Sequence, residues 1–422
     1  MEGLQERIKQ WLSTNREYGI SLLQQLVQVA STQGNEAQAQ HIVIKALHDI
    51  GLIVDSWQPE GEQLINHPYF ASSRHDFKGS SNVVGVLRGA GGGRSIILNG
   101  HIDVVPAGDR TQWQDDPFSG KVVDGKMYGR GVTDMKGGNV ALLMAIKALQ
   151  EIGIRLKGDV IFQSVIEEES GGSGTLAAIL RGYQADAAII PEPTNLKIFP
   201  KQQGSQWFKI HVKGRAAHGG TRYEGVSAIE KSYLVIEHIR KLEEIRNERM
   251  IDPLYRNIPI PIPINIGKIT GGDWPSSVAD LVTMEGRMGI SPDETIEEAK
   301  VEMENWLKNL KNVDPWFQDH PHILEWYGAR WLPGSIDVEH DLMKILTKSY
   351  RTVLKDDPVI EASPWGTDGG LLTTVGETPS IVFGPGVTKM AHFPNEYIEI
   401  DKMIEAAEII ALTLVEWCGL KE

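Results

Sequence analysis

The stretch Ser95-Ile96-Ile97-Leu98-Asn99-Gly100-His101-Ile102-Asp103 decides how this chain is read. Ser95–Leu98 has the apolar, β-branched character of a buried strand, and it passes directly into Asn-Gly-His-x-Asp. The same plan returns three times. Asp159–Ile166 reads as a strand and ends on Glu167-Glu168-Glu169. Asp186–Ile190 runs into Pro191-Glu192-Pro193-Thr194, and Ser380–Phe383 is followed closely by Ala391-His392. Between these runs lie segments with apolar residues at helical spacing. Met135–Ile152 is one, stopped by Gly153, and Thr175–Leu180 begins another. Strands alternating with helices predict an α/β fold with a mostly parallel, twisted sheet flanked by helices. Such sheets build their sites at the carboxyl ends of the strands. Four strands that each aim His, Asp or Glu at that edge point to one site.

Farther out, residues 1–50 predict two amphipathic helices and Asn82–Leu87 another strand. The aperiodic stretch Gln63–Ser81 predicts a surface loop. The pattern changes near Gly204. Gln206–Val212, Ile262–Ile269, Val282–Met288 and His322–Tyr327 read as strands, with helices at Val226–Ile245 and Thr295–Leu310. This predicts a smaller α+β domain with one exposed sheet face. The α/β pattern resumes with helices at Leu342–Leu354 and Met403–Trp417. The expected organisation is a catalytic domain of residues 1–203 and 334–422, interrupted by a domain of residues 204–333.

Composition narrows the function. The chain has 422 residues, 41% hydrophobic and 23% charged, with a formal net charge of −14. A long chain of ordinary globular composition suits two domains. The acidic balance argues against nucleic acid and against an anionic membrane surface, both of which need basic patches. The one cysteine, Cys418, permits no intramolecular disulfide and no thiolate metal site of the structural kind. It sits in an apolar run and reads as a buried small hydrophobe. The first 25 residues lack the apolar core of a signal peptide, and no run approaches membrane-spanning length. The expected location is the cytoplasm.

His-x-Asp on an extended segment puts both side chains on one side, so the His can bind a metal while the Asp holds its other nitrogen. Asp134, in Gly129-Arg130-Gly131-Val132-Thr133-Asp134, reads either as a helix cap or as a carboxylate able to bridge two metals. Neither a phosphate-binding loop nor a dinucleotide fingerprint is present. Three adjacent glutamates at a buried strand end repel one another unless a cation compensates, and one of them could then act as a general base.

These residues resemble the peptidase M20 family. The motifs are Gly100-His101-Ile102-Asp103, Asp116-Pro117-Phe118, Tyr128–Gly131 with Asp134–Gly138, Glu168–Gly172, Glu192-Pro193-Thr194, Ala217-His218-Gly219-Gly220 and His392. The family includes acetylornithine deacetylase, succinyl-diaminopimelate desuccinylase, aminoacylase-1 and carboxypeptidase G2. The resemblance implies two zinc ions per subunit, with cobalt or manganese as other fits to a thiol-free donor set. His101 and Glu192 would hold one ion, Glu169 and His392 the other, and Asp134 would bridge. Asp103 would orient His101 and Glu168 would be the general base, with Glu167 base and Glu168 ligand as the alternative register. The inserted domain would be a lid that carries a homodimer interface. From it His218 would reach the partner's site and Arg287 would bind a substrate carboxylate. Thr367 and Asp368, in Trp365–Gly370, resemble a loop at the substrate pocket. Two departures stand out: Glu167 replaces the usual Asp, and Ser276-Ser277-Val278-Ala279 replaces an Asn near Val-Pro.

The implied reaction removes a small N-acyl group (acetyl, formyl or succinyl) from an amino-acid-like or related amine. The loop Gly271–Pro275 resembles the acetylornithine deacetylase-like branch, which also contains deformylases acting on pyrimidine thiamin precursors. The alternatives are such a deformylase, or a metallo-aminopeptidase or dipeptidase. A catalytically dead scaffold would have lost a ligand or the base, and none is missing.

Overall fold

The computed structural model describes residues 2–421. The chain forms two units. One comprises the residues up to Lys201, Gly334–Ser363 and Thr367 onward. The other comprises Gln202–Pro333 and Pro364–Gly366. In chain order the strands are β1 (Ile53–Trp57), β2 (Asn82–Leu87), β3 (Ile96–His101), β4 (Lys121–Val123), β5 (Lys126–Tyr128), β6 (Val160–Val165) and β7 (Ala188–Ile190). They continue with β8 (Lys201–Gln202), β9 (Gly204–Lys213), β10 (Ile264–Gly271), β11 (Leu281–Ile290), β12 (Ile323–Trp331), β13 (Gly334–Ser335), β14 (Ser380–Val382) and β15 (Tyr397–Glu399).

The main sheet of the first unit has the order β1-β2-β6-β3-β7-β14. The pairs β6/β3, β3/β7 and β7/β14 are parallel, and only β2 runs against the rest. This is the mostly parallel sheet that the sequence predicts. Strands buried on both faces can be apolar throughout, and β3, β6, β7 and β14 have no exposed residue. The helix Gly137–Glu151 packs on β3, and Ser173–Leu180 packs on β6. In the β3/β6 register His101 lies opposite Val165, so both strands run out at the same edge. A small antiparallel sheet, β15-β5-β4, pairs Tyr397 with Tyr128. That pairing lays the segment after His392 beside Gly129–Asp134.

The second unit has an antiparallel sheet, β10-β11-β9-β12, with helices Ala228–Glu248 and Ile296–Lys308 packed against it. Ser227 and Thr295 cap those helices, Thr295 in a reciprocal box with Glu298.

Two expectations need correction. The first 50 residues form three helices, Glu2–Thr14, Arg16–Val27 and Ala37–Ile50. Asn15 breaks the first run because its side-chain amide donates to the Trp11 carbonyl and closes that helix. The stretch Gln63–Ser81 is not a plain surface loop. It opens with a helical turn, Glu62–Ile65, and buries Leu64, Ser72, Phe77 and Ser80. Its anchor is polar, through Arg74 and Ser72 to Glu167, so no apolar period announces it. No helix of the described residues is long and apolar enough to cross a membrane. Cys418 is buried, and burial pushes its thiol up to about 12.

Candidate metal centre

His101 is the last residue of β3 and is buried. Its Nδ1–H donates to the Asp103 backbone carbonyl at 2.8 Å, which leaves Nε2 as the nitrogen that faces the carboxylates. Nε2 lies 3.2 Å from Asp134 Oδ1 and 3.7 Å from Glu192 Oε1. Asp103 therefore fixes the ring chiefly through its carbonyl. Its carboxylate stands 3.7 Å from Nδ1 and accepts the N–H groups of Glu168 and Glu169 at 3.3 and 3.1 Å. One residue thus ties the end of β3 to the turn after β6.

Asp134 is not a helix cap. It lies in the turn Val132–Lys136 with non-helical backbone, ahead of the helix Gly137–Glu151. Its second oxygen, Oδ2, lies 3.3 Å from His392 Nε2. That nitrogen is also 3.1 Å from Glu169 Oε2. Each oxygen of one carboxylate thus faces a different histidine. Among the described residues, two groups could each surround an ion with donor atoms within 4.8 Å: His101, Asp134 and Glu169, and His101, Glu168 and Glu192.

Glu167 is turned away. It is fully buried and accepts from Arg74 at 2.6 Å, Ser72 at 2.7 Å, Ser170 at 2.7 Å and Gln33 at 2.8 Å. Its φ of +63° bends the chain sharply, so that Glu168 and Glu169 project elsewhere.

The charges are out of balance without a cation. Burial first, then the charges of Glu192, Asp368 and Glu169, raises Glu168 well above the usual carboxylate range, although His101 opposes the shift. Glu192 is raised likewise, by burial and by Asp134, Glu169 and Asp368, again against His101. Burial would depress both imidazoles, but the carboxylates outweigh it. His392 rises to about 11 and His101 also rises well above its usual value. Burial would raise Asp134, yet hydrogen bonds from both histidines hold it well below the usual range. The neighbouring carboxylates thus favour the positively charged form of both imidazoles. Two imidazoles, four carboxylates and no thiol suit a borderline or hard divalent ion, and such an ion would relieve this crowding.

Other residues singled out in the sequence fall as follows. Asp368 is buried, accepts from Thr175 Oγ1 at 2.6 Å, and is pushed up to about 6 by burial. Thr367 is buried beside it and accepts from the Gly369 N–H. In the second unit His218 is exposed, and its Nδ1 accepts from Gly220 N–H at 3.0 Å. Arg287 sits on β11 between Asn265 and Trp207. Burial lowers its pKa, and no carboxylate of the described residues pairs with it. Sequence reading missed Glu396 and the residues that hold Glu167. The one signal for Glu396 was its place four residues after His392.

The chain matches the pattern described as peptidase family M20/M25/M40 over residues 97–416 and belongs to that family. It is a metal-dependent amide hydrolase. More particularly, it is 32% identical to an N-formyl-4-amino-5-aminomethyl-2-methylpyrimidine deformylase of Halalkalibacterium halodurans, over 99% of this chain and 98% of that one. A protein of the same name from Bacillus subtilis (strain 168) is 31% identical, over 89% of this chain and 88% of its own. Among solved structures, the dipeptidase Dug1p of Saccharomyces cerevisiae matches with a TM-score of 0.77 and 14% identity, covering 99% of each chain, which shows the fold.

Proposed function

We propose that the chain is a two-metal N-deacylase, with His101 and Glu192 on one ion, Glu169 and His392 on the other, and Asp134 between them. The observation that carries this is Asp134, whose two oxygens each face a different histidine. The metal we favour is zinc, with cobalt or manganese able to replace it. Bound ions would supply Lewis acidity to a water and to the amide carbonyl.

The rest falls to the chain's own residues. Glu168 takes a proton from the attacking water and returns it to the nitrogen of the leaving amine. The C–N bond breaks, the water oxygen remains with the acyl group, and the acid and amine leave. Asp103 holds the backbone of Glu168 and Glu169 in place for this transfer.

For the substrate we favour a small N-formyl amine of the aminomethylpyrimidine kind. The support is the nearly full-length likeness at 32% identity to a deformylase of that compound. One observation favours a second reading. Arg287 is half-buried and pairs with no carboxylate of the described residues, which suits a carboxylate-bearing N-acyl amino acid. The pyrimidine has no such group.

We also propose a cytoplasmic homodimer formed through the second unit as a lid. Exposed Ile229, Tyr233, Ile269 and Trp274 support an interface there. His218 would then serve the partner's site. With Nδ1 accepting a backbone N–H, the neutral ring carries its proton on Nε2, ready to donate to a developing oxyanion.

The test is a panel of N-formyl aminomethylpyrimidine, N-acetyl and N-succinyl amino acids, and dipeptides, against metal-stripped and reloaded protein. Deformylation should dominate and should vanish with the metal. If N-acyl amino acids turn over best and Arg287→Ala raises their KM, the second reading replaces the first. Equal turnover after metal removal overturns both. Mixing His218→Ala with Glu168→Gln subunits should restore activity if His218 acts across the dimer, and no recovery removes that role.

A further inference from the structure

One buried ion pair has no part in the chemistry above, yet it touches the backbone of two proposed ligands. Glu396 is fully buried and uses both oxygens completely. Oε2 accepts from Arg130 at 2.6 Å and from the Gly131 N–H at 3.0 Å. Oε1 accepts from the N–H groups of Thr133 at 2.9 Å and Asp134 at 3.2 Å. The backbone is joined as well, because Gly129 N–H donates to the Glu396 carbonyl at 2.9 Å. The carboxylate thus grips the turn that carries Asp134.

Arg130 reaches the other way. It donates to the carbonyls of His392 at 3.2 Å and Phe393 at 3.4 Å. Its guanidinium lies 5.2 Å from the centre of the Trp113 ring, which closes one side. His392 has φ +64°, a conformation that side-chain-bearing residues hold only when their surroundings impose it. The Arg130 hydrogen bond to its carbonyl is one such constraint. The β15/β5 pairing delivers both partners to this place.

We propose that Arg130 and Glu396 are positioning residues that fix the spacing between Asp134 and His392, and so set metal affinity. This rests on the two-metal reading only for the identity of the ligands. Neither residue takes a proton in the reaction. Lys cannot serve in place of Arg130, because one ammonium cannot span Glu396 and the His392 carbonyl in a fixed fork. Gln at 396 keeps the shape but sets an NH2 donor where one oxygen now accepts two N–H groups.

The test is zinc affinity measured by competition with a chromophoric chelator, on full-length Arg130→Lys and Glu396→Gln, with apo-protein melting and kcat alongside. One of the two zinc equivalents should weaken by about 10–100-fold, the scale for partners that hold ligands in place. At saturating zinc, kcat should return to within a few-fold of the unmodified protein. Unchanged zinc affinity in a folded variant overturns the proposal, as does a kcat that excess zinc does not rescue. If Glu396→Gln does not fold, Arg130→Lys decides alone, and Glu396→Asp replaces it if neither folds. The primary readout is binding, so a wrong substrate assignment would leave that arm untouched and show itself as absent turnover in the unmodified protein, whereas a chain that binds no zinc at all would fail at the unmodified control.

Discussion

Strands β3 and β10 have similar lengths and opposite surroundings. All six residues of β3 are buried, and it is paired on both sides. Of the eight residues of β10 only Ile264 is buried, and it pairs only with β11. A central strand with no exposed face must place its polar end residues where something compensates them. In β3 that residue is His101, and the compensation is a ring of carboxylates. An edge strand faces the reverse problem. Its unpaired backbone groups and exposed Ile269 are stable in water but open to another surface. On the proposed reading, chemistry concentrates where burial makes charge expensive, and association where burial is incomplete.

The largest test of this contrast is Glu168→Gln. It should lower kcat by about 10²–10⁴-fold while metal content stays unchanged. Full activity in that variant, with loss in Glu167→Gln instead, would reverse the register. Next, Phe162→Ala in the buried β6 should cost about 3–5 kcal/mol in denaturant melts. A smaller loss, comparable to surface changes, would mean the sheet tolerates voids and the contrast is overstated.

Metal binding should come third in size. Against the burial that would depress them, the surrounding carboxylates raise His392 to about 11 and His101 well above its usual value, which favours the protonated imidazoles when no metal is bound. Coordination must expel those protons, so affinity rises with pH, by about tenfold per unit for each proton released. Calorimetry in buffers of different ionisation enthalpy counts them, and a count of zero would remove the histidines from the ligand set. The smallest effect belongs to Ile269→Ala on β10, which should change monomer stability by no more than about 0.5 kcal/mol. A loss near that of Phe162→Ala would show that the exposed face is buried in solution.

Most of the α/β framework was legible because its strands are buried on both faces and leave continuous apolar runs. His101, Glu168, Glu169 and Glu192 were legible because a parallel sheet presents strand ends on one edge. The Gln63–Ser81 stretch was illegible for the complementary reason. It is fastened by Arg74 and Ser72 to Glu167, and such polar anchoring leaves no period to read.

The sequence by itself determined the kinds of candidate metal-binding residue and the strands that end on them, since local pattern and strand polarity suffice for both. The family resemblance gave a preferred register for Glu167-Glu168-Glu169 and a bridging role for Asp134, but only the tertiary structure showed Glu167 turned away and Asp134 standing between two histidines. The tertiary structure alone joined Arg130 to Glu396. These are matters of direction and of contacts across as many as 266 positions, which only the packed chain fixes.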